Sequence, residues 1–291
     1  MRTLTIALAL SLTSLLAQAA ASEFTDRRPL NADAKLTVRN LAGVIEIDAW
    51  DKTEMDLAAQ LGDSAEKVEI TGSAGDLKVE VKNRKSDRYS GDGETRLKLR
   101  VPAGVTLSLD GTSADLVVRG TKGAITARSV SGDIDLAVPA KLITVQTVSG
   151  DVRLETPAAR ETRLNTVSGD TQVSGAAGLL VSESVSGDVN VEGGPFALVD
   201  LKSVSGDITM QASFTAEARV KAESLSGDVQ VNAPASLSAE VTLKTFSGER
   251  QSRFESVREA SDSKRSVLKI GEGRGQFSLT SFSGDVTLDK Q

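Results

Sequence analysis

Ser184-Val185-Ser186-Gly187-Asp188-Val189-Asn190-Val191 is answered nineteen residues later by Ser203-Val204-Ser205-Gly206-Asp207-Ile208-Thr209-Met210. The same unit stands at Ser131-Gly132-Asp133, Ser149-Gly150-Asp151, Ser168-Gly169-Asp170, Ser226-Gly227-Asp228 and Ser283-Gly284-Asp285, with Ser247-Gly248-Glu249 carrying the longer acid. Successive glycines lie 18, 19, 18, 19, 21, 21 and 36 residues apart, the last step being about two periods. A fixed period of this length is the mark of a repeat architecture.

With each glycine as position zero, an apolar residue stands at −2 (Val130, Val148, Leu225, Phe246) and a hydroxyl at −3 (Ser129, Thr147, Ser224, Thr245). Positions +2 and +4 are mostly apolar (Val152/Leu154, Ile208/Met210), as are −5 and −7 (Val145/Ile143, Leu201/Val199). Degenerate copies extend the register to Ala114 and to Gly43. The alternation predicts strands over nearly the whole chain; no segment shows a convincing helical period of 3.6 residues, Thr53 to Leu61 being the weak exception. Positions −7 and −5 share one parity and −2, +2 and +4 the other, so a straight strand cannot bury both sets. A corner near −4 or −3, with the hydroxyl bonding local backbone, reconciles them and puts −2 inside and Asp +1 outside.

One such unit cannot bury its own apolar face; stacking units about 4.8 Å apart buries continuous Val/Leu/Ile ladders. The fold class is therefore all-β, a parallel β-solenoid of about ten coils of 18–21 residues. It is taken as a right-handed single-stranded β-helix because parallel crossovers take that hand. An antiparallel sandwich is the alternative, with shorter and less uniform turn spacing. The chain divides into a signal peptide at 1–21, a degenerate β-repeat region at 22–105 and the regular solenoid at 106–291, interrupted by a polar insertion at 249–275.

Composition agrees and excludes much chemistry. The 291 residues hold no Cys, no His and nine aromatics (one Trp, one Tyr, seven Phe). That removes disulfides, thiol nucleophiles, His-dependent triads and ordinary zinc sites. The formal charge of −6, or −7 without the N-terminal leader and its Arg2, argues against nucleic acid. Met1-Arg2, an apolar run from Leu4 to Leu16 and Ala17-Gln18-Ala19-Ala20-Ala21 predict a cleaved export signal. No later run is apolar enough to span a membrane. An exported protein of the periplasm or cell envelope, possible also as a secreted one, is expected.

The Leu41-Ala42-Gly43-Val44-Ile45-Glu46-Ile47…Trp50-Asp51 opening, the Val101-Pro102-Ala103-Gly104-Val105 run and the Thr/Ser-Val-Ser-Gly-Asp copies resemble the bacterial "putative adhesin" family of unknown function. The likeness covers roughly residues 30–290 and includes the closing Ser281-Phe282-Ser283-Gly284-Asp285-Val286. It implies an exported β-strand-repeat protein with a β-helix-like fold and supplies no catalytic residues. The sequence departs from it between Gly248 and Gly284, where a polar stretch takes the place of one coil.

Candidate sites follow from the repeat and its interruption. The outward row Asp133, Asp151, Asp170, Asp188, Asp207 and Asp228 stacks carboxylates that a Ca²⁺ ion could bridge; solvated carboxylates bonded to their own turns are the simpler reading. Arg250 to Arg274 carries seven bases against four acids, and Arg253, Arg258 and Arg265 are candidate contacts for anionic lipid or polysaccharide. Trp50 is read as a lid over an open N-terminal core. No catalytic residue and no cofactor is assigned. The partner class is an envelope or surface ligand: protein, glycan or anionic lipid. A non-enzymatic adhesin or scaffold is the expected function. The alternatives are a carbohydrate-active β-helix enzyme, whose only room for a site is 249–275, and a lipid- or peptide-binding component of envelope stress.

Overall fold

The structure, a computed structural model, describes residues 22–84, 94–157 and 159–291; the side chains of Ser22, Arg258 and Glu259 are not described. The leader expected at 1–21 lies outside the described residues, as do Tyr89 and the off-register Ser90-Gly91-Asp92 of the hairpin or loop expected over 83–94. All regular structure among the described residues is strand. The first seven strands are β1 (Ser22–Pro29), β2 (Lys35–Trp50), β3 (Glu54–Leu61), β4 (Ala65–Ser73), β5 (Asp76–Asn83), β6 (Thr95–Pro102) and β7 (Thr106–Arg119). The middle strands are β8 (Ile125–Ser131), β9 (Ile134–Ala137), β10 (Leu142–Ser149), β11 (Val152–Glu155), β12 (Glu161–Ser168), β13 (Thr171–Ser186), β14 (Val189–Ser205) and β15 (Ile208–Ser226). The last are β16 (Val229–Ala233), β17 (Ala239–Ser247), β18 (Arg250–Ser252), β19 (Val257–Ser261), β20 (Arg265–Ile270), β21 (Gly275–Ser283) and β22 (Val286–Lys290).

The repeats stack in parallel and in register, as a β-solenoid does. On one wall β10 lies between β8 and β12, pairing Val145 with Ala127 and with Leu164. On the other β11 lies between β9 and β13, pairing Leu154 with Leu136 and with Val173. The degenerate copies hold the same register, with Gly43 opposite Ala114. Ile143, Val145, Val152 and Leu154 face inward and are fully or almost fully buried. The core is a bundle of such aliphatic ladders. Residues 54–61, the stretch with a weak helical period, are strand β3 and not helix.

The facing expected of positions −3 and −2 is reversed in the structure. Residues −7, −5 and −3 are the buried set of the first wall, so the −3 hydroxyls of Thr147, Thr166 and Ser184 lie inside and the −2 side chains point out. The chain turns at −2 to +1 rather than at −4 or −3, and alternation resumes with +2 buried. The inward hydroxyls do bond backbone at that corner: Thr147 donates to Ser149 O (3.3 Å), Ser184 to Ser186 O (3.3 Å) and Ser281 to Gly227 O (2.8 Å).

Spatial order departs from chain order at both ends. β21 lies between β15 and β17, and β22 between β16 and β18. The final coil is thus inserted beneath the coil that precedes it in sequence. β20 then runs antiparallel on β17, and β19 antiparallel on β20. The N-terminal end repeats the arrangement. β2 lies between β7 and the β5/β6 level, and β3, β1 and β4 close that level in antiparallel fashion. Open parallel coils would expose ladders of unpaired backbone; antiparallel strands cover the β5/β6 level at the N-terminal end and β17 at the other.

Candidate functional site

Three features meet at the corner, and each follows from the Ser-Gly-Asp unit. The glycine is required by proximity: a Cβ on Gly206 would sit 2.2 Å from the carbonyl oxygen of Gly187, at a φ of +145°. Its N–H donates to the serine carbonyl of the next level (Gly206 to Ser226 O, 3.1 Å).

The aspartate supplies an acceptor the bent chain lacks. Asp170 Oδ1 accepts the backbone N–H of Asp188 at 2.9 Å, and Asp188 Oδ1 accepts that of Asp207 at 2.8 Å. The series runs from Asp115 up to Asp228, then to Asp285, and ends with Asp285 Oδ1 accepting from Glu249 N–H at 2.8 Å. Each candidate carboxylate therefore bonds the neighbouring level, not its own turn. Glu249 occupies the last position, with no further Ser-Gly-Asp level to bond, which explains why the acid there need not be Asp. Among the described residues, no group of three or more acids converges closely enough to hold a metal ion.

The third feature was missed in the sequence because an apolar residue was taken for a core residue. Val130, Val148, Val167, Val185 and Val204, then Leu225, Phe282 and Phe246 in spatial order, form one outward column, each 46–56% exposed. At its wide end the rings of Phe246 and Phe282 stack with centroids 4.8 Å apart, and the Lys264 ammonium lies 3.4 Å from the Phe246 centroid. At its narrow end, where Gly111 and Thr112 replace the larger residues, a groove of about 310 Å³ opens along Val130, Val148 and Val167. The −4 residues beside the column are polar and include Arg128, Gln146 and Asn165. The signal that could have located the column was parity: −2 differs from the buried −7 and −5.

The remaining candidates fall in the end structures. Arg253 pairs with Asp289 at 3.4 Å, and Arg265 starts β20 with its N–H on Asp262 Oδ1 at 2.8 Å. The backbone N–H groups of Lys264 and Arg265 hold the Asp262 carboxyl below its ordinary range. Arg258 lies on β19, and its side chain is outside the described residues. The 249–275 stretch thus builds β18 and the closing β19/β20 hairpin. Trp50 is half-buried rather than a lid over the core: its indole donates to Glu54 O at 2.9 Å, between Lys52 and Arg100. Asp56 on β3 pairs with Arg27 on β1 and Arg100 on β6, and those two guanidinium groups, Arg27 first, lower its pKa. On β5, Lys78 and Lys82 pull Glu80 down to about 2.

The model of one protein family matches residues 34–289, from the first stacked coil to the last strand. The chain belongs to the Toastrack DUF4097 family. No curated protein matches this Toastrack chain. Among solved structures it is similar to a putative adhesin from Bacteroides fragilis, at 14% identity over 93% of this chain and 97% of that one, with a TM-score of 0.47. A putative lipid binding protein from Parabacteroides distasonis gives 15% identity over 92% and 96%, with a TM-score of 0.41. A putative adhesin from Parabacteroides merdae gives 11% over 92% and 96%, with a TM-score of 0.33. No helix among the described residues is long and apolar enough to cross a membrane.

Proposed function

We propose that this Toastrack protein is a non-enzymatic binding or scaffold module of the cell envelope that engages its partner through the −2 column. The observation that carries the reading is an apolar row repeated on level after level and left half-exposed, although the adjacent −3 and +2 positions are buried. Exposed apolar rows of this extent mark contact surfaces. The regular carboxylates already serve the stack, which leaves the apolar row as the repeated element with no internal partner. Export through the 1–21 leader, a right-handed turn and about ten coils belong to the same proposal. A Val148→Asp/Val204→Asp variant should keep the wild-type circular dichroism and melting temperature yet lose capture by immobilised envelope fractions. Equal capture of both proteins removes the reading.

The second carboxylate oxygen of each Asp in the row is the atom a Ca²⁺ ion would use to bridge levels. A melting temperature raised by Ca²⁺ and restored by chelator supports that role. Identical melts in both remove it.

A further inference from the structure

We infer that the occupant of the apolar column is a second copy of this chain, packed face to face and antiparallel. The inference rests on the column being a contact surface and adds what covers it.

Area is the first argument. Half-exposed Val, Leu and Phe side chains along the column, with Leu41 at 38% below them, present on the order of 600 Å² of apolar surface. A stable interface covers about 800 Å² on each partner. The column and its polar border reach that size.

Pitch is the second. The column repeats at the strand spacing, about 4.8 Å. An extended peptide laid along it repeats its same-face side chains at about 6.7 Å and falls out of step within a few residues. A second stack has the same pitch and meets every level.

Taper is the third, and it decides direction. The column widens from Thr112 through the valines to Leu225, Phe282 and Phe246, and the groove lies at the narrow end. A two-fold axis between the levels of Val167 and Val185 sets Phe282 of one copy over Thr112 of the other, at the Gly111 edge of the groove, with Leu225, Val204 and Val185 along the groove itself. It also sets Leu225 against Val130, and Val148 against Val204. A parallel pair would place ring stack on ring stack and groove on groove.

The test uses the full chain in sedimentation velocity across the micromolar range. Wild type should sediment as a reversible dimer, and Val148→Asp/Val204→Asp should raise the dissociation constant at least ~100-fold, with the melt unchanged when both proteins are dilute enough to be monomeric. The chain contains no Cys, so direction is read by single cysteines. Thr112→Cys mixed with Phe282→Cys should give a disulfide-linked heterodimer. Cross-linking of Phe282→Cys only to itself overturns the antiparallel arrangement. A monomeric wild type overturns the second copy. If capture by envelope fractions is then still lost in the double variant, the column stands as a contact surface for another partner; if capture is unaffected, both readings fall.

Discussion

At the residue scale, the Ser-Gly-Asp unit is a solution to one geometric problem. Where the chain turns between two walls, the ladder of backbone bonds is interrupted, and three replacements appear. The glycine allows carbonyl contact, its N–H reaches the next serine carbonyl, and the aspartate accepts the N–H of the next aspartate. Asp170→Ala leaves the exposed Asp188 N–H to water and should lower stability by about 0.5–1.5 kcal/mol, the net range for an intramolecular hydrogen bond. Glu249→Ala, at the end of the series, should change it by less than about 0.5 kcal/mol. Urea melts of the two variants check this; equal losses would mean that the carboxylate ladder contributes nothing. The tripeptide was legible in the sequence, but its bonding was not. Repetition shows that a position is constrained without showing whether its own turn or the next coil constrains it.

At the element scale, strands and register were legible because aliphatic alternation is dense, as in Ile143/Val145 and Val152/Leu154. The facing of −2 was misread because Val148 and Val145 carry the same chemistry. Only the position of the corner distinguishes an outward valine from an inward one. The end strands were not legible as closures. Their charged residues, such as Arg27, Asp56 and Arg100, carry no sequence sign of mutual contact, yet they staple β1, β3 and β6. This makes the N-terminal closure acid-sensitive. The folded-state pKa values of Asp56 and Glu80 lie below their ordinary ones, so their stabilisation is present above those ordinary values. It is lost as pH falls toward the depressed values, about 2 for Glu80. Hydrogen exchange between pH 5 and 2 should show β1, β3 and β5 losing protection before β10 and β11. Uniform loss across the chain would contradict this.

At the scale of the whole molecule, the stacking order could not be inferred. Gly284 follows Gly248 by 36 residues, which reads as two periods, yet the level of Gly284 packs between those of Gly227 and Gly248. Equivalent coils are interchangeable as far as their own contacts go. The order is set by the β19/β20 hairpin, which folds back on β17 and returns the chain beneath it. With antiparallel strands over the β5/β6 level and over β17, the lateral face is the surface the repeat presents at every level. The absence of His and Cys and the scarcity of aromatics then have a common setting: aliphatic ladders, corner hydroxyls and carboxylates fill the recurring positions, and two of the seven phenylalanines stand on the exposed column.

Hydroxyl-radical footprinting of the full chain, first as monomer diluted below the dimer dissociation constant and then bound to envelope material, tests the lateral contact most directly. Val148, Val185, Leu225 and Phe282 should become protected on binding, while Arg253 and the outer edges of β1 and β19 keep their reactivity. Protection confined to those edges or to the 249–275 stretch, with the column unchanged, would contradict the account.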